Sequence, residues 1–390
     1  MTICVCAPDT GVSSETFIRD HIRRLPGKVF CLSGTHPDIW LGDRQIVPPP
    51  VRFLIHERRA RKLKPFLLGY AARRVASVLR RHGADVILAE YGTTAVDYLE
   101  PCRIAQIPLV VHFHGYDIYR TDVLSQYEVE YKRLFREAAA MIVGSLAMKQ
   151  HVTTLAGSDD RVFYNPCGVD IGAFLPIDAS ANPPVFIAVG RFVEKKAPHL
   201  TISAFRNVLD ACPDAKLIMA GAGPLLDPCR QLVRAYGITD SVEFPGELAH
   251  REVAALLRTG RAFVQHSVTA PSGDSEGTAI SILEAAATGL PVVSTLHAGI
   301  RDTMIHGRTG LLVAEYDIGT MAKHMIELAN CPGRAAGLGA AAREHVAANY
   351  SMDASISGIA AVLSQAVSRF RERHAHAPDG SVDDRIAGVR

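Results

Sequence analysis

The sequence predicts an α/β protein built from two doubly wound domains. Three observations predict it. Short β-branched apolar runs alternate with helical patterns along the whole chain, a Pro-rich stretch breaks that rhythm near the middle, and 390 residues exceed what one core fills. Apolar residues make up 48% of the chain and charged residues 21%, enough burial for two cores and too little charge for a disordered chain.

In the first half, strands are expected at Thr2 to Ala7, Lys28 to Ser33, Asp85 to Glu90, Pro108 to Phe113, Ala140 to Gly144 and Val162 to Tyr164, with helices between them. A stretch read as a structureless linker, Pro176 to Pro184, follows. The rhythm restarts with strands at Val185 to Val189, Ala215 to Ala220, Val242 to Phe244, Ala262 to His266 and Pro291 to Thr295. Helices are expected near 197–211, 224–236, 250–258 and 277–288. This divides the chain into domains at 1–178 and 184–350, a long late helix over 351–373, and a polar tail at 374–390 read as disordered.

Forty-two Lys and Arg against forty Asp and Glu leave a formal charge of +2, which offers no chain-wide attraction to nucleic acid. Eight scattered cysteines without a CxxC pair read as reduced thiols used as small hydrophobes. The N-terminus runs straight into a strand without a basic leader, and no apolar run reaches transmembrane length. A cytoplasmic protein is the expectation, with room for peripheral attachment to the inner face of a membrane.

Open α/β sheets bind ligands beyond the carboxyl ends of their strands, so two such sheets place the site in the cleft between them. The richest stretch is Ser272 to Thr295. Glu276 and Gly277 open onto a helix whose first turn, Thr278, Ala279 and Ile280, offers backbone N–H groups to an anion such as a diphosphate. Glu284, eight positions after Glu276 in the same expected helix, stands roughly 12 Å further along the axis. One carboxylate could then accept from hydroxyls of a donor sugar and the other from a ribose; a helix cap and a solvated carboxylate are the bland alternative.

Arg191 directly follows a strand in VGRFVEKK, and Lys196 lies at the approach to the next helix. Both are candidates for neutralising a diphosphate and stabilising it as a leaving group. A charge immediately after a buried strand also calls for a partner. The turn MAGAGPL brings Gly221, Gly223 and Pro224 to a strand end, with Leu226 where a dinucleotide fingerprint has its third glycine, so it reads as backbone approaching a base or ribose.

In the first half, Gly11 allows a tight turn beside a ligand, with Ser13 or Ser14 as a helix cap. His114 in HFHGYD could donate to a sugar hydroxyl or phosphate. His112 and His114 share a strand face, but a zinc site is rejected because no neighbouring Cys or carboxylate set completes the shell. No DxD triplet, serine-elbow motif or phosphate-binding P-loop is present, so no metal ligand is assigned. From Arg52 to Arg81, ten basic residues and one acidic one are interleaved with Phe53, Leu54, Phe66, Leu67, Leu68 and Tyr70. That pattern suits anionic headgroups or a lipid diphosphate, or simply a solvated helix face.

Together these residues resemble the retaining glycosyltransferases of family 4, whose GT-B architecture sets two Rossmann-like domains face to face. E276-GTAISIL-E284 resembles the family's Glu-x7-Glu signature. Gly190, Arg191 and Lys196 resemble its Gly-Arg-x4-Lys clamp, and Gly221, Gly223 and Pro224 its Gly-x-Gly-Pro turn. NPCGVD (Asn165 to Asp170), HGYD (His114 to Asp117) and GIRDTMIHGRTGLLV (Gly299 to Val313) occur in the same order. Within the family, SSETFI and VTAPSGDSEG look like the exopolysaccharide and colanic-acid-type bacterial branch.

The resemblance implies transfer of a sugar from a nucleotide diphosphate donor to the hydroxyl of a glycan or polyprenyl-diphosphate-linked acceptor, with retention and no obligatory metal. It implies that Arg191 and Lys196 clamp the diphosphate, that Glu276 positions the sugar and Glu284 the ribose, and that His114 reaches in from the opposite domain. It also implies that the helix after Ser351 crosses back onto the first domain. A sugar-nucleotide epimerase and a non-catalytic nucleotide-sugar binder remain the alternatives.

Overall fold

The computed structural model describes residues 1–9, 16–57 and 62–375. Gly11, Ser13 and Ser14, the basic residues Arg58, Arg59 and Arg61, and the tail from 376 onward lie outside the described residues.

Eight strands build the first sheet: Thr2–Ala7 (β1), Lys28–Ser33 (β2), Trp40–Leu41 (β3), Arg44–Gln45 (β4), Val86–Glu90 (β5), Leu109–Phe113 (β6), Ala140–Val143 (β7) and Val162–Tyr164 (β8). Their order is β4-β3-β2-β1-β5-β6-β7-β8. The strands from β2 to β8 pair in parallel, whereas β3 and β4 form an antiparallel edge. That edge was not anticipated from sequence, because two-residue strands carry no periodicity.

Six further strands build the second sheet: Val185–Val189 (β9), Lys216–Ala220 (β10), Val242–Gly246 (β11), Ala262–Gln265 (β12), Val292–Thr295 (β13) and Gly310–Val313 (β14). Their order is β11-β10-β9-β12-β13-β14, all parallel. The strand β14 is an addition to the sequence reading. Its four residues lie in a run quoted only as a motif.

In each sheet the strand order reverses beside the first strand, between β1 and β5 and between β9 and β12. These switch points open crevices at the carboxyl ends of the strands.

The strands read as continuous apolar runs because both faces of each sheet are covered. One face of the first sheet meets Ala95, Tyr98, Leu134 and their neighbours. The other, with Ile3, Val5, Val86, Leu88, Val110 and Ile142, is covered by the helix Met352–Ala375 through Ile356, Ile359, Leu363 and Ala366. The late helix therefore packs on the first sheet, and it includes His374 and Ala375, which had been assigned to the tail.

The passage between the halves has structure of its own. Residues Ala179–Ala181 form a 3-10 turn capped by Asp178, Ala179 is fully buried in the core under the second sheet, and Ile177 N–H donates to Thr288 O at 3.0 Å. The structureless reading of 176–184 is thus corrected: the segment's small apolar residues find a place in that core.

The NPCGVD motif is the joint at which the chain crosses back. Asn165 Nδ2 donates to Ser355 O at 3.1 Å, Ser355 Oγ donates to Pro166 O at 2.8 Å, and Val169 bridges Ser351. Arg24 holds Asp170 at 2.6 Å from the first helix of the chain.

Candidate functional site

A cavity of about 320 Å³ lies between the two sheets. It is lined from the first half by Phe17, Tyr91, His114, Gly144 and Cys167, and from the second by Gly190, Arg191, Lys196, Gly221, His250, residues 276–281 and Glu284. Most residues singled out from sequence therefore meet there: His114, Gly190, Arg191, Lys196, Gly221, Glu276, Gly277, Thr278, Ala279 and Glu284 all line it. Gly223 and Pro224 are not among its lining residues. Gly223, at φ 146°, packs over Phe192, whose carbonyl oxygen a Cβ would approach to 2.6 Å.

Gly221 ends β10 with φ 137°, and a Cβ there would stand 2.0 Å from Gly190 O. Glycine at that position lets two strand ends close up beneath the ligand space.

Arg191 leaves the end of β9 exposed, and among the described residues its guanidinium forms no ion pair or hydrogen bond, only its carbonyl oxygen accepting from Val193 N–H at 3.0 Å. The expected protein partner is missing. A guanidinium facing the cavity is left free for an anion. Lys196 differs: its Nζ lies 2.9 Å from Glu276 Oε1 and 3.4 Å from Gln265 Oε1. Lys195 is buried between Asp274 Oδ1 at 3.0 Å and Ser275 O at 3.1 Å, where it fastens the acidic loop.

Burial alone would raise the Glu276 carboxyl, but the charges of Lys196 and Lys195 and the Lys196 hydrogen bond bring it down to about 2. Its backbone N–H donates to His297 Nε2 at 3.2 Å. His297 Nδ1–H in turn donates to Glu315 Oε1 at 2.6 Å, so a second line of contacts fixes the loop.

The helix that follows begins at Ile280, with Ala279 at its N-cap, and not at 277 as the sequence suggested. Glu276 therefore lies outside the helix, and a helical rise does not set its separation from Glu284. Thr278 adds a side-chain role. Its hydroxyl donates to Gly144 O at 2.8 Å and accepts from Cys167 N–H at 3.1 Å, tying the two halves together. Glu284 is nearly buried, and its Oε1 accepts from His250 Nε2 at 3.1 Å, a contact that raises the His250 imidazole above its ordinary value.

On the opposite wall, Asp117 of HGYD organises backbone. Its carboxylate accepts from the N–H groups of Gly92 at 2.7 Å and of His114 and Gly115 at 3.0 Å each. His114 Nε2 lies 2.7 Å from Oε2 of Glu90, whose Oε1 lies 2.6 Å from His21 Nδ1. Glu90, His250, Gln265 and His297 were missed from sequence. Glu90 was the most findable, because it ends a strand at the switch point.

The expectation that no Cys or carboxylate stands beside the two histidines is corrected: the fold gathers His112, His114 and Cys167 in one set and His21, Glu90 and His112 in another, each with candidate ligand atoms within 4.8 Å of one another. The Glu90 contacts, however, are hydrogen-bond lengths between would-be ligand atoms, shorter than the spacing of about 3.3 Å that two ligands at zinc distances would keep.

Residues 14–172 match the family described as Glycosyltransferase Family 4, and residues 176–345 match Glycosyl transferases group 1. The chain is 33% identical over 246 residues to the colanic acid biosynthesis glycosyltransferase WcaL of Escherichia coli, covering 62% of this chain and 61% of that protein. It is 26% identical to the amylovoran biosynthesis glycosyltransferase AmsK of Erwinia amylovora, covering 74% of this chain and 72% of that one. The match thus spans about three fifths of the WcaL length. Among solved structures, Anabaena HepE in complex with UDP and glucose superposes with a TM-score of 0.73 at 20% identity, covering 93% of this chain and 99% of HepE. That likeness is one of fold, the GT-B arrangement of two facing Rossmann-like domains.

Proposed function

Since the chain belongs to glycosyltransferase family 4, we propose that it is a retaining enzyme that moves a sugar from a nucleotide diphosphate donor to an acceptor hydroxyl in the synthesis of a cell-surface polysaccharide. The observation that carries this reading is the unpaired Arg191 guanidinium, which shares one cavity with Lys196, Glu276, Glu284 and the open start of the helix Ile280–Thr288. Arg191 and the helix N-terminus take the diphosphate. Lys196 joins them once donor binding draws it from Glu276, and the released carboxylate then turns to the sugar hydroxyls. Glu284 takes the ribose in exchange for His250. Developing charge on the leaving diphosphate meets side-chain cations, so turnover proceeds without a divalent ion.

The named functions of WcaL and AmsK support an exopolysaccharide branch, and with it a glycan or polyprenyl-diphosphate-linked acceptor. Among the described residues no helix is long and apolar enough to cross a membrane. An acceptor anchored in lipid is met instead at the surface carried by the helices Pro49–His56 and Lys64–Arg81. There Phe53 and Phe66 are 68% and 69% exposed beside Lys62 and Lys64.

Incubation with a panel of nucleotide sugars and lipid-linked acceptors tests the reading. The expected result is release of a nucleoside diphosphate that depends on acceptor and persists in EDTA. Conversion of the donor without acceptor would identify an epimerase, and binding without turnover a non-catalytic subunit.

A further inference from the structure

Glu90 is fully buried at the end of β5, yet three imidazoles surround it. His21 Nδ1 is 2.6 Å from Oε1, His114 Nε2 is 2.7 Å from Oε2, and His112 Nδ1 is 3.4 Å from Oε2. These groups come from three elements: the helix Thr16–Arg24, the strand β5, and the strand β6 with the residue that follows it. The thiols of Cys6, Cys31 and Cys167 are further titratable neighbours, and burial raises all three, Cys31 and Cys167 to about 12, so they are neutral.

Burial alone would raise the Glu90 carboxyl, but the neighbouring His21 and the hydrogen bonds from His112, His114 and His21 hold it well below the usual carboxylate range. An ionised carboxylate only accepts, so each short contact to it must come from a ring N–H. Burial and the adjacent His112 push His114 down to about 3 against the pull of Glu90, which leaves that ring with a single proton. The proton is therefore on Nε2. Nδ1 has no hydrogen-bond partner among the described residues, on a side chain that lines the cavity.

We propose that Glu90 is a positioning residue for His114: its carboxylate accepts the Nε2–H and so presents Nδ1 to the bound donor as a hydrogen-bond acceptor. The orientation is reinforced by rings on either side, Phe17 with its centroid 4.3 Å from that of His114 and Tyr91 edge-on at 4.8 Å. Tyr91 follows Glu90 at φ 75°, a left-handed turn unusual for an aromatic residue. The next residue, Gly92, is fixed by the Asp117 carboxylate.

On this proposal His114 accepts, whereas the sequence reading has it donating to a hydroxyl or a phosphate. An imidazole nitrogen with a lone pair accepts from a sugar hydroxyl and is repelled by phosphate oxygens, so His114 faces the sugar and not the diphosphate. This selects donors that carry a hydroxyl at that position. The inference rests on the transferase reading for the identity of its ligand, but the tautomer does not.

Proton–nitrogen correlation NMR on the full chain carrying isotope-labelled histidine, assigned with His114→Gln, reads the tautomer near neutral pH without substrate. The expected result is a neutral His114 protonated only at Nε2, and a mixture of tautomers in Glu90→Gln. A His114 protonated at Nδ1 or at both nitrogens would overturn the proposal, as would an unchanged His114 signal in Glu90→Gln. In turnover, Glu90→Gln is expected to lower kcat about 10- to 100-fold with the donor KM little changed, and Glu90→Asp to recover part of the loss. A loss confined to thermal stability would reduce Glu90 to a structural role and overturn the proposal. Absence of turnover in the unmodified protein would remove the transferase reading while leaving the tautomer result to stand or fall by itself.

Discussion

Lys196 Nζ stands 2.9 Å from Oε1 of Glu276, so the cation proposed for the diphosphate and the carboxylate proposed for the sugar hold each other in the cavity. The pair keeps both charges compensated where neither is well solvated, with side chains 16% and 6% exposed. On the proposed function, donor binding would exchange partners, the phosphate replacing the carboxylate on Lys196 and hydroxyls replacing the ammonium on Glu276.

Breaking the pair from one side should be costly. Lys196→Ala leaves a buried carboxylate without its cation, and a loss of about 3 kcal/mol in denaturant unfolding is expected. Adding Glu276→Gln to it should recover part of that loss, which the double-mutant cycle measures. Glu276 is lowered to about 2 in the folded state from 4.5. Its contribution is therefore complete above pH 4.5 and disappears as the pH falls toward 2, so Glu276→Gln should flatten the stability profile across that interval.

The Arg191 guanidinium has no partner to lose among the described residues. Arg191→Ala should leave stability within about 0.5 kcal/mol, read as an unchanged melting temperature. It should lower kcat/KM for the nucleotide sugar about 100-fold or more, because the charge it removes is aimed only at the ligand. Full activity in this variant would contradict the diphosphate assignment.

Asn165 tests the joint. Its amide donates to Ser355 O at 3.1 Å, and Gly358 packs directly on it. Asn165→Ala should cost about 1–3 kcal/mol in thermal unfolding by leaving buried groups unpaired. It should also loosen the return helix, read as faster hydrogen exchange over residues 352–367.

The exposed aromatics test the lipid contact. Phe53→Asp combined with Phe66→Asp should reduce sedimentation with vesicles containing anionic lipid while leaving turnover of a soluble acceptor unchanged. Binding that is independent of both substitutions would place the lipid contact elsewhere.

Much of this protein is legible in one dimension. The strands β1, β2, β5 to β13 and their helices announce themselves because parallel sheets covered on both faces demand unbroken apolar runs, a signal each segment carries by itself. Arg191, Lys196, Glu276 and Glu284 announce themselves because strand ends and helix starts are where α/β sheets bind. Tertiary structure alone decided what each charge does there. Among the described residues the Arg191 side chain has no partner, although a charge directly after a buried strand calls for one, and Lys195 is committed to Asp274. Thr278 became a tie between the halves, and Glu90 gathered His21 and His114 from 69 and 24 residues away. Apolar burial is a property of a segment, and a pattern of residues records it. A charge's partner depends on distance across the fold, and no spacing along the chain encodes it.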